Sequence, residues 1–275
     1  MSIVYLAIIL GLIQALTEFL PISSSGHLLL ARAALDFDVV DGLTFDVAVH
    51  VGTLAAIVVY FRREIGEVTR GFLRTFVRPN LRDDVEQRLA WYVIAACIPA
   101  GLAGALFETQ IEIYFRHPGV VVFTLAAGAV LFLAVERWCR PHKTFDEITL
   151  RGALFIGLLQ TLALIPGVSR SGITIAGGMI VRLRREEAAR FSFVMASPLL
   201  AGAGLKKGLD LVGQPMGQPE IVALVVGVLT SGLAGWLVIR FLIGFLRRHG
   251  LYVFAYYRFV LAAAVAAYLL ITAPN

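Results

Sequence analysis

Glu18 is followed within nine residues by Ser23, Ser24, Ser25, Gly26 and His27, in a stretch (Gln14–His27) flanked by apolar sequence. A carboxylate, three hydroxyls and an imidazole can bind, activate or transfer protons. At membrane depth such groups are costly, and their presence points to a polar ligand. A second polar interruption runs Pro166-Gly-Val-Ser-Arg-Ser-Gly-Ile-Thr174 and holds Ser169, Arg170, Ser171, Gly172 and Thr174. Ser169 and Arg170 precede an apolar helix starting near Ile173, and a helix N-terminus with free N–H groups is an anion site. Arg170 adds a planar fork suited to phosphate. The first interruption ends alike, with Ser23 to His27 opening another helix. Two facing helix N-termini suit a substrate with two phosphates.

Glu18 would repel such a substrate. A divalent cation, Mg²⁺ or Ca²⁺, bridging carboxylate and phosphate oxygens removes the conflict. Gln14 lies one helical turn before Glu18 and can give the metal a carbonyl oxygen. His27 can serve as general acid or base, and a serine beside it as nucleophile.

Those residues must be held by helices. Of 275 residues, 59% are hydrophobic and 16% charged, against roughly 25% charged in soluble domains. Several apolar runs reach about 18–20 residues, enough to cross a bilayer. The sequence therefore predicts one all-α integral membrane domain over 1–275. Uninterrupted spans are expected at 45–61, 89–107, 119–136, 187–205, 220–243 and 251–272. Segments 3–20 with 28–35, and 150–181, are too short or too broken to cross and read as two re-entrant helical hairpins.

The broken segments resemble one another. At an offset of 146, Gly11, Leu12, Gln14, Leu16, Ser23, Ser25 and Gly26 match Gly157, Leu158, Gln160, Leu162, Ser169, Ser171 and Gly172, and Phe45 matches Phe191. Paired interruptions in two halves (about 1–140 and 148–275) point to a midplane site. Segments 62–88, 137–151, 182–190 and 240–249 hold 7, 4, 4 and 3 of the 24 Lys and Arg. They are expected in the cytoplasm as solvated loops, with both termini outside and the halves inverted. The net charge of +5 is then a topology signal, not a nucleic-acid footprint. No signal peptide is expected, and Cys97 and Cys139 carry neither disulfide nor metal spacing. His50 is expected to pack or hydrogen-bond inside its span, with a site role as the alternative. Arg258, in Tyr256-Tyr257-Arg258-Phe259, is expected to snorkel to the cytoplasmic interface.

The two motifs, Gln14-x-x-x-Glu18-Phe-Leu-Pro-Ile-Ser-Ser-Ser-Gly-His27 and Pro166 to Thr174, resemble the signatures of the undecaprenyl-diphosphatase, or bacitracin-resistance, family. Length, motif spacing and the late Tyr-Arg-Phe also fit. The resemblance implies a bacterial inner-membrane phosphatase that cleaves undecaprenyl diphosphate to undecaprenyl phosphate and phosphate. That recycles the lipid carrier of peptidoglycan synthesis and confers bacitracin resistance. It implies six spans with two re-entrant hairpins, Glu18 in a metal-linked motif, His27 in acid/base work and Ser24 as favoured nucleophile. It further implies Arg170, Ser169, Ser171 and Thr174 on the diphosphate. Ser24, His27 and water all stay open as nucleophile, and a homodimer stays open. Many family members carry a second Glu where this chain has Gln14, so loss of Gln14 is expected to matter less than loss of Glu18. The competing reading is a polyprenyl-phosphate flippase, since inverted repeats with broken helices also build transporters.

Overall fold

The computed structural model describes residues 3–24, 27, 42–115, 117–211 and 216–272. These form ten α-helices: α1 (Ile3–Phe19), α2 (Gly42–Tyr60), α3 (Arg62–Thr75), α4 (Val85–Phe115), α5 (Pro118–Trp138), α6 (Leu150–Thr161), α7 (Arg170–Ile180), α8 (Arg185–Leu211), α9 (Gln218–Leu246) and α10 (Tyr252–Thr272). Short 3₁₀ turns at Phe145–Glu147 and Leu162–Leu164 flank α6. No β-strand occurs among the described residues. The second arm expected for hairpin one, 28–35, lies outside them.

Among the described residues, five helices are long and apolar enough to cross a membrane: Val85–Phe107, Gly119–Trp138, Arg185–Lys206, Gln218–Leu246 and Tyr252–Ile271. The span expected at 45–61 is α2, which meets α3 at a bend of 83°. Phe61 makes the bend with φ −97° and ψ 25°. It is buried, while Arg62 and Arg63 directly after it are exposed; charge cannot continue along an apolar path. Segment 62–88 is thus not all loop, because its apolar residues recur at helical spacing and fold as α3. The apolar helices α1 and Leu150–Leu164 are shorter than those five helices.

Exposed apolar side chains such as Leu102, Phe123, Leu233, Val260 and Ile271 cover the outer faces of the long helices. Water would not tolerate so continuous an apolar surface, and lipid does. The chain is a helical, multi-pass membrane protein. Its main core packs Phe19, Phe61, Phe132, Phe191 and Phe193 between the helices.

Proline inside α8 is accommodated locally. Pro198 lies within the helix and cannot donate to Val194 O. Ser197 Oγ donates to that carbonyl instead, at 2.8 Å. Cys97 and Cys139 are both free, and Cys97 Sγ donates to Met195 O at 3.2 Å.

The basic segments gather at one end of the molecule. Arg190 pairs with Glu64 at 2.7 Å, joining 182–190 to 62–88. Arg185 Nε donates to Glu136 Oε1 at 2.9 Å, and that oxygen also accepts from Leu251 N at 2.8 Å. Lys143 N donates to Arg182 O at 2.8 Å.

Candidate functional site

α1 ends at Phe19 and runs into the turn Leu20–Ser23. Opposite it, the turn Ile165–Ser169 leads into α7. Ser23 and Ser169, equivalent at the offset of 146, have φ of 78° and 69°. An L-residue in this region costs of order 1–3 kcal/mol and persists only where its surroundings impose it. Both halves therefore hold a strained serine at the same place. Ser169 Oγ accepts from Gly172 N at 3.2 Å and caps α7.

Arg258 holds the two turns together. The expectation that it snorkels to an interface is wrong: it is completely buried. Its Nη1 donates to Pro21 O of the first turn at 3.3 Å and to Val168 O of the second at 3.1 Å. Its Nη2 donates to Gly167 O at 3.0 Å and Thr124 O at 3.0 Å, and Nε to Leu125 O at 3.1 Å. The guanidinium also lies 5.2 Å from the Phe132 ring centre. A fork of five N–H donors can tie this many carbonyls together; an ammonium has three. Gly128 makes the room, since a Cβ there would collide with the guanidinium. Thr124 Oγ1 donates to Pro166 O at 2.8 Å, which fixes the second turn against α5.

Between the turns lies a cavity of about 400 Å³ lined by Glu18, Ser23, Ser24, His50, Gln160, Ser169 and Arg170, with an apolar wall from α4, α8 and the 3₁₀ turn after α6 that includes Ala100, Leu164 and Leu199. Small-ligand pockets run about 300–1,000 Å³. Glu18 is its centre. The carboxylate is nearly buried and pairs with Arg170 Nη2. It also accepts from Gln14 Nε2 at 3.2 Å and Ser24 Oγ at 3.1 Å. His50 Nε2 lies 3.5 Å from Glu18 Oε2, with Nδ1 2.6 Å from Asp46 O. His50 is thus a site residue and not only a packing one. In sequence its mostly apolar surroundings favoured packing and left a site role as the alternative.

The other expected residues divide. Ser23 and Ser169 line the cavity. Ser171 Oγ donates to Leu20 O at 3.3 Å and lies 3.3 Å from Ser169 Oγ, so it joins one turn to the other. Thr174 Oγ1 lies 2.6 Å from Ser192 Oγ and donates to Arg170 O at 2.7 Å. Neither Ser171 nor Thr174 lines the cavity, and Gly172 serves as the N–H that Ser169 caps. His27 is also absent from the lining. Its Nδ1 lies 2.7 Å from Ser23 O and its Nε2 2.7 Å from Tyr257 OH. In a neutral ring only one nitrogen carries hydrogen, and Ser23 O can only accept. Nδ1 therefore donates and Nε2 accepts from the phenol. Ser25 and Gly26 lie outside the described residues.

A closed metal cage is absent: no cluster of three His, Cys, Asp or Glu side chains occurs among the described residues. The donor set still fits a hard cation completed by substrate oxygens. A carboxylate accepts hydrogen bonds only, so the Gln14 amide must turn its NH₂ to Glu18. That leaves buried Gln14 Oε1 without a partner, an oxygen ligand beside the carboxylate. Gln160 is the residue that sequence reading missed, its amide buried at the cavity wall.

The bacitracin resistance protein BacA family model matches residues 7–264. A Rubrobacter xylanophilus protein named undecaprenyl-diphosphatase is 48% identical over 96% of this chain and 98% of its own. Proteins of the same name from Moorella thermoacetica and Geobacter sulfurreducens are each 43% identical, over 95% and 96% of this chain and 96% and 97% of their own lengths. The match takes in both turns, the helices that carry them and the arginine that ties them. The chain belongs to the bacitracin resistance protein BacA family.

Proposed function

We infer that the chain hydrolyses undecaprenyl diphosphate to undecaprenyl phosphate and inorganic phosphate, returning the lipid carrier to peptidoglycan synthesis and conferring bacitracin resistance. The observation that carries this reading is the convergence of Glu18, Ser24 and Arg170 on one cavity between two turns of a membrane protein. Membership of the family and relatives of that name support it. A membrane body suits a substrate whose prenyl tail stays in lipid while its diphosphate enters the cavity.

Arg170 is the phosphate grip: its Nη1 is buried and without a partner, while Nη2 is held by Glu18. When a diphosphate enters, Arg170 exchanges one anion for another. That releases Glu18 Oε1, while Oε2 keeps its hydrogen bond from Ser24. Ser24, already hydrogen-bonded to it, is the nucleophile of the proposal. Ser24 Oγ attacks the terminal phosphorus, its proton passes to Glu18, and the bridging P–O bond breaks with the electron pair leaving on undecaprenyl phosphate. Water then cleaves the phosphoserine and releases phosphate. Glu18 and Gln14 Oε1 would hold a Mg²⁺ or Ca²⁺ ion, which offsets diphosphate charge when bound. Ser169, Ser171, Gly172 and Thr174 shape the turn that presents Arg170. His27, held between Ser23 O and Tyr257, orients that turn.

The same proposal covers the arrangement in the membrane. α2, α4, α5, α8, α9 and α10 are the six spans, and α1 and α6–α7 belong to two re-entrant hairpins of inverted halves. The paired φ values at Ser23 and Ser169 support this. The basic end faces the cytoplasm of a bacterial inner membrane, with both termini outside.

The test is phosphate release from undecaprenyl diphosphate by purified protein with Mg²⁺ or Ca²⁺. Stoichiometric phosphate and undecaprenyl phosphate are expected from wild type, and Ser24→Ala should release none above background. Wild-type protein that moves the lipid between leaflets but releases no phosphate refutes the enzyme reading.

A further inference from the structure

Among the described residues, four buried side-chain polar atoms have no hydrogen-bond partner: Gln14 Oε1, Arg170 Nη1, and both Nε2 and Oε1 of Gln160. All belong to this one site. Gln160 is 3% exposed, and among the described residues no other buried side chain leaves its whole polar group unspent. In a protein interior an amide left unpaired is destabilising.

The internal repeat explains why this amide is free. Gln160 is equivalent to Gln14. One turn after Gln14 comes Glu18, which takes its NH₂. One turn after Gln160 comes Leu164, which can accept nothing and lines the same cavity. The face of α6 is fixed by Gly157, one turn earlier: a Cβ there would meet the Ala96 Cα at 2.7 Å. The helix backbone is thus pressed on α4, and Gln160 is held at the wall with Arg170.

We propose that Gln160 is a substrate-binding residue that grips the terminal phosphate beside Arg170. Nε2 donates to a charged phosphate oxygen, and Oε1 accepts from the hydrogen of a protonated one. A terminal phosphate carries that hydrogen below about pH 6, where its last proton leaves, so the Nε2 bond is the one kept at neutral pH. Gln14 is the carboxylate-facing glutamine and Gln160 the phosphate-facing one. This inference rests on the diphosphate reading of the site.

The experiment compares wild type, Gln160→Met and Gln160→Glu in detergent. It reads steady-state turnover of farnesyl diphosphate and the melting temperature with and without inorganic phosphate. Gln160→Met keeps the shape and removes the unpaired atoms. Its melting temperature should equal or exceed that of wild type, while kcat/KM falls about 10- to 100-fold, the range of a hydrogen bond to a charged group. The stabilisation that phosphate gives wild type should shrink in Gln160→Met. Gln160→Glu, which cannot donate when ionised, should lose more activity than Gln160→Met. A lower melting temperature for Gln160→Met would show that the amide has a protein partner and overturn the proposal. So would kcat/KM within about twofold of wild type, too little for a lost hydrogen bond, or a phosphate effect undiminished in that variant. Wild type that turns over nothing refutes the hydrolase reading instead, and the phosphate shift still tests Gln160.

Discussion

Glu18 accepts from Gln14 and Ser24, pairs with Arg170 and has His50 3.5 Å away. Removing its charge leaves a guanidinium without its anion, and breaking one partner of a buried pair costs of order 3–5 kcal/mol. Glu18→Gln should lower both melting temperature and activity, the activity by about 100-fold or more if Glu18 takes the serine proton. Gln14→Ala removes one neutral donor and one free oxygen. It should reduce kcat/KM no more than about tenfold, a loss on the scale of one hydrogen bond. Parallel kinetics of the two variants check the order. At this scale Glu18 and Arg170 were legible because charge inside apolar sequence is conspicuous. His50 and Gln160 were not, because what makes them site residues is α2 and α6 packing against partners far away in sequence. Ser171 and Thr174 show the converse. Their hydroxyls were legible, but which way a helix's first turn faces is set by its neighbours, here Leu20 and Ser192.

The two turns are the elements that matter, and Arg258 decides their spacing. Arg258→Lys replaces five donors with three and shortens the reach. Two or more of the five carbonyls should lose their donors, at about 1–3 kcal/mol each. The expected result is a melting temperature lowered by several degrees with reduced phosphate release, read by thermal unfolding of the purified protein. Gly157→Val tests the other fixed contact, α6 on α4. Overpacking there should cost about 1–3 kcal/mol and displace Gln160, so melting temperature and activity should fall together. Sequence pattern showed both turns through their Pro, Gly and Ser, and showed the short apolar helices beside them. It misplaced Arg258, because Tyr256-Tyr257-Arg258-Phe259 has the composition of an interfacial belt and nothing local tells that it faces inward. It also missed the bend at Phe61, where helical propensity continues but charge begins.

Over the whole molecule, apolar length and basic-loop counting predicted the helical membrane class and which segments cluster at one end. The clustering follows from ion pairs such as Arg190–Glu64 and Arg185–Glu136, which no single segment reveals. Single-cysteine labelling in cells, in a background lacking Cys97 and Cys139, checks the orientation. A cysteine at exposed Arg248 should be protected from an impermeant reagent outside the cell, and one at exposed Gln218 should react. The central claim is that the two halves, joined across the repeat, form one phosphate site. It is tested most directly by a double-mutant cycle on kcat/KM for phosphate release, using Glu18→Gln, Arg170→Lys and the pair. The account predicts strong non-additivity, with the double variant little worse than the poorer single one. Losses that simply add would contradict it, for Glu18 and Arg170 would then act at separate places.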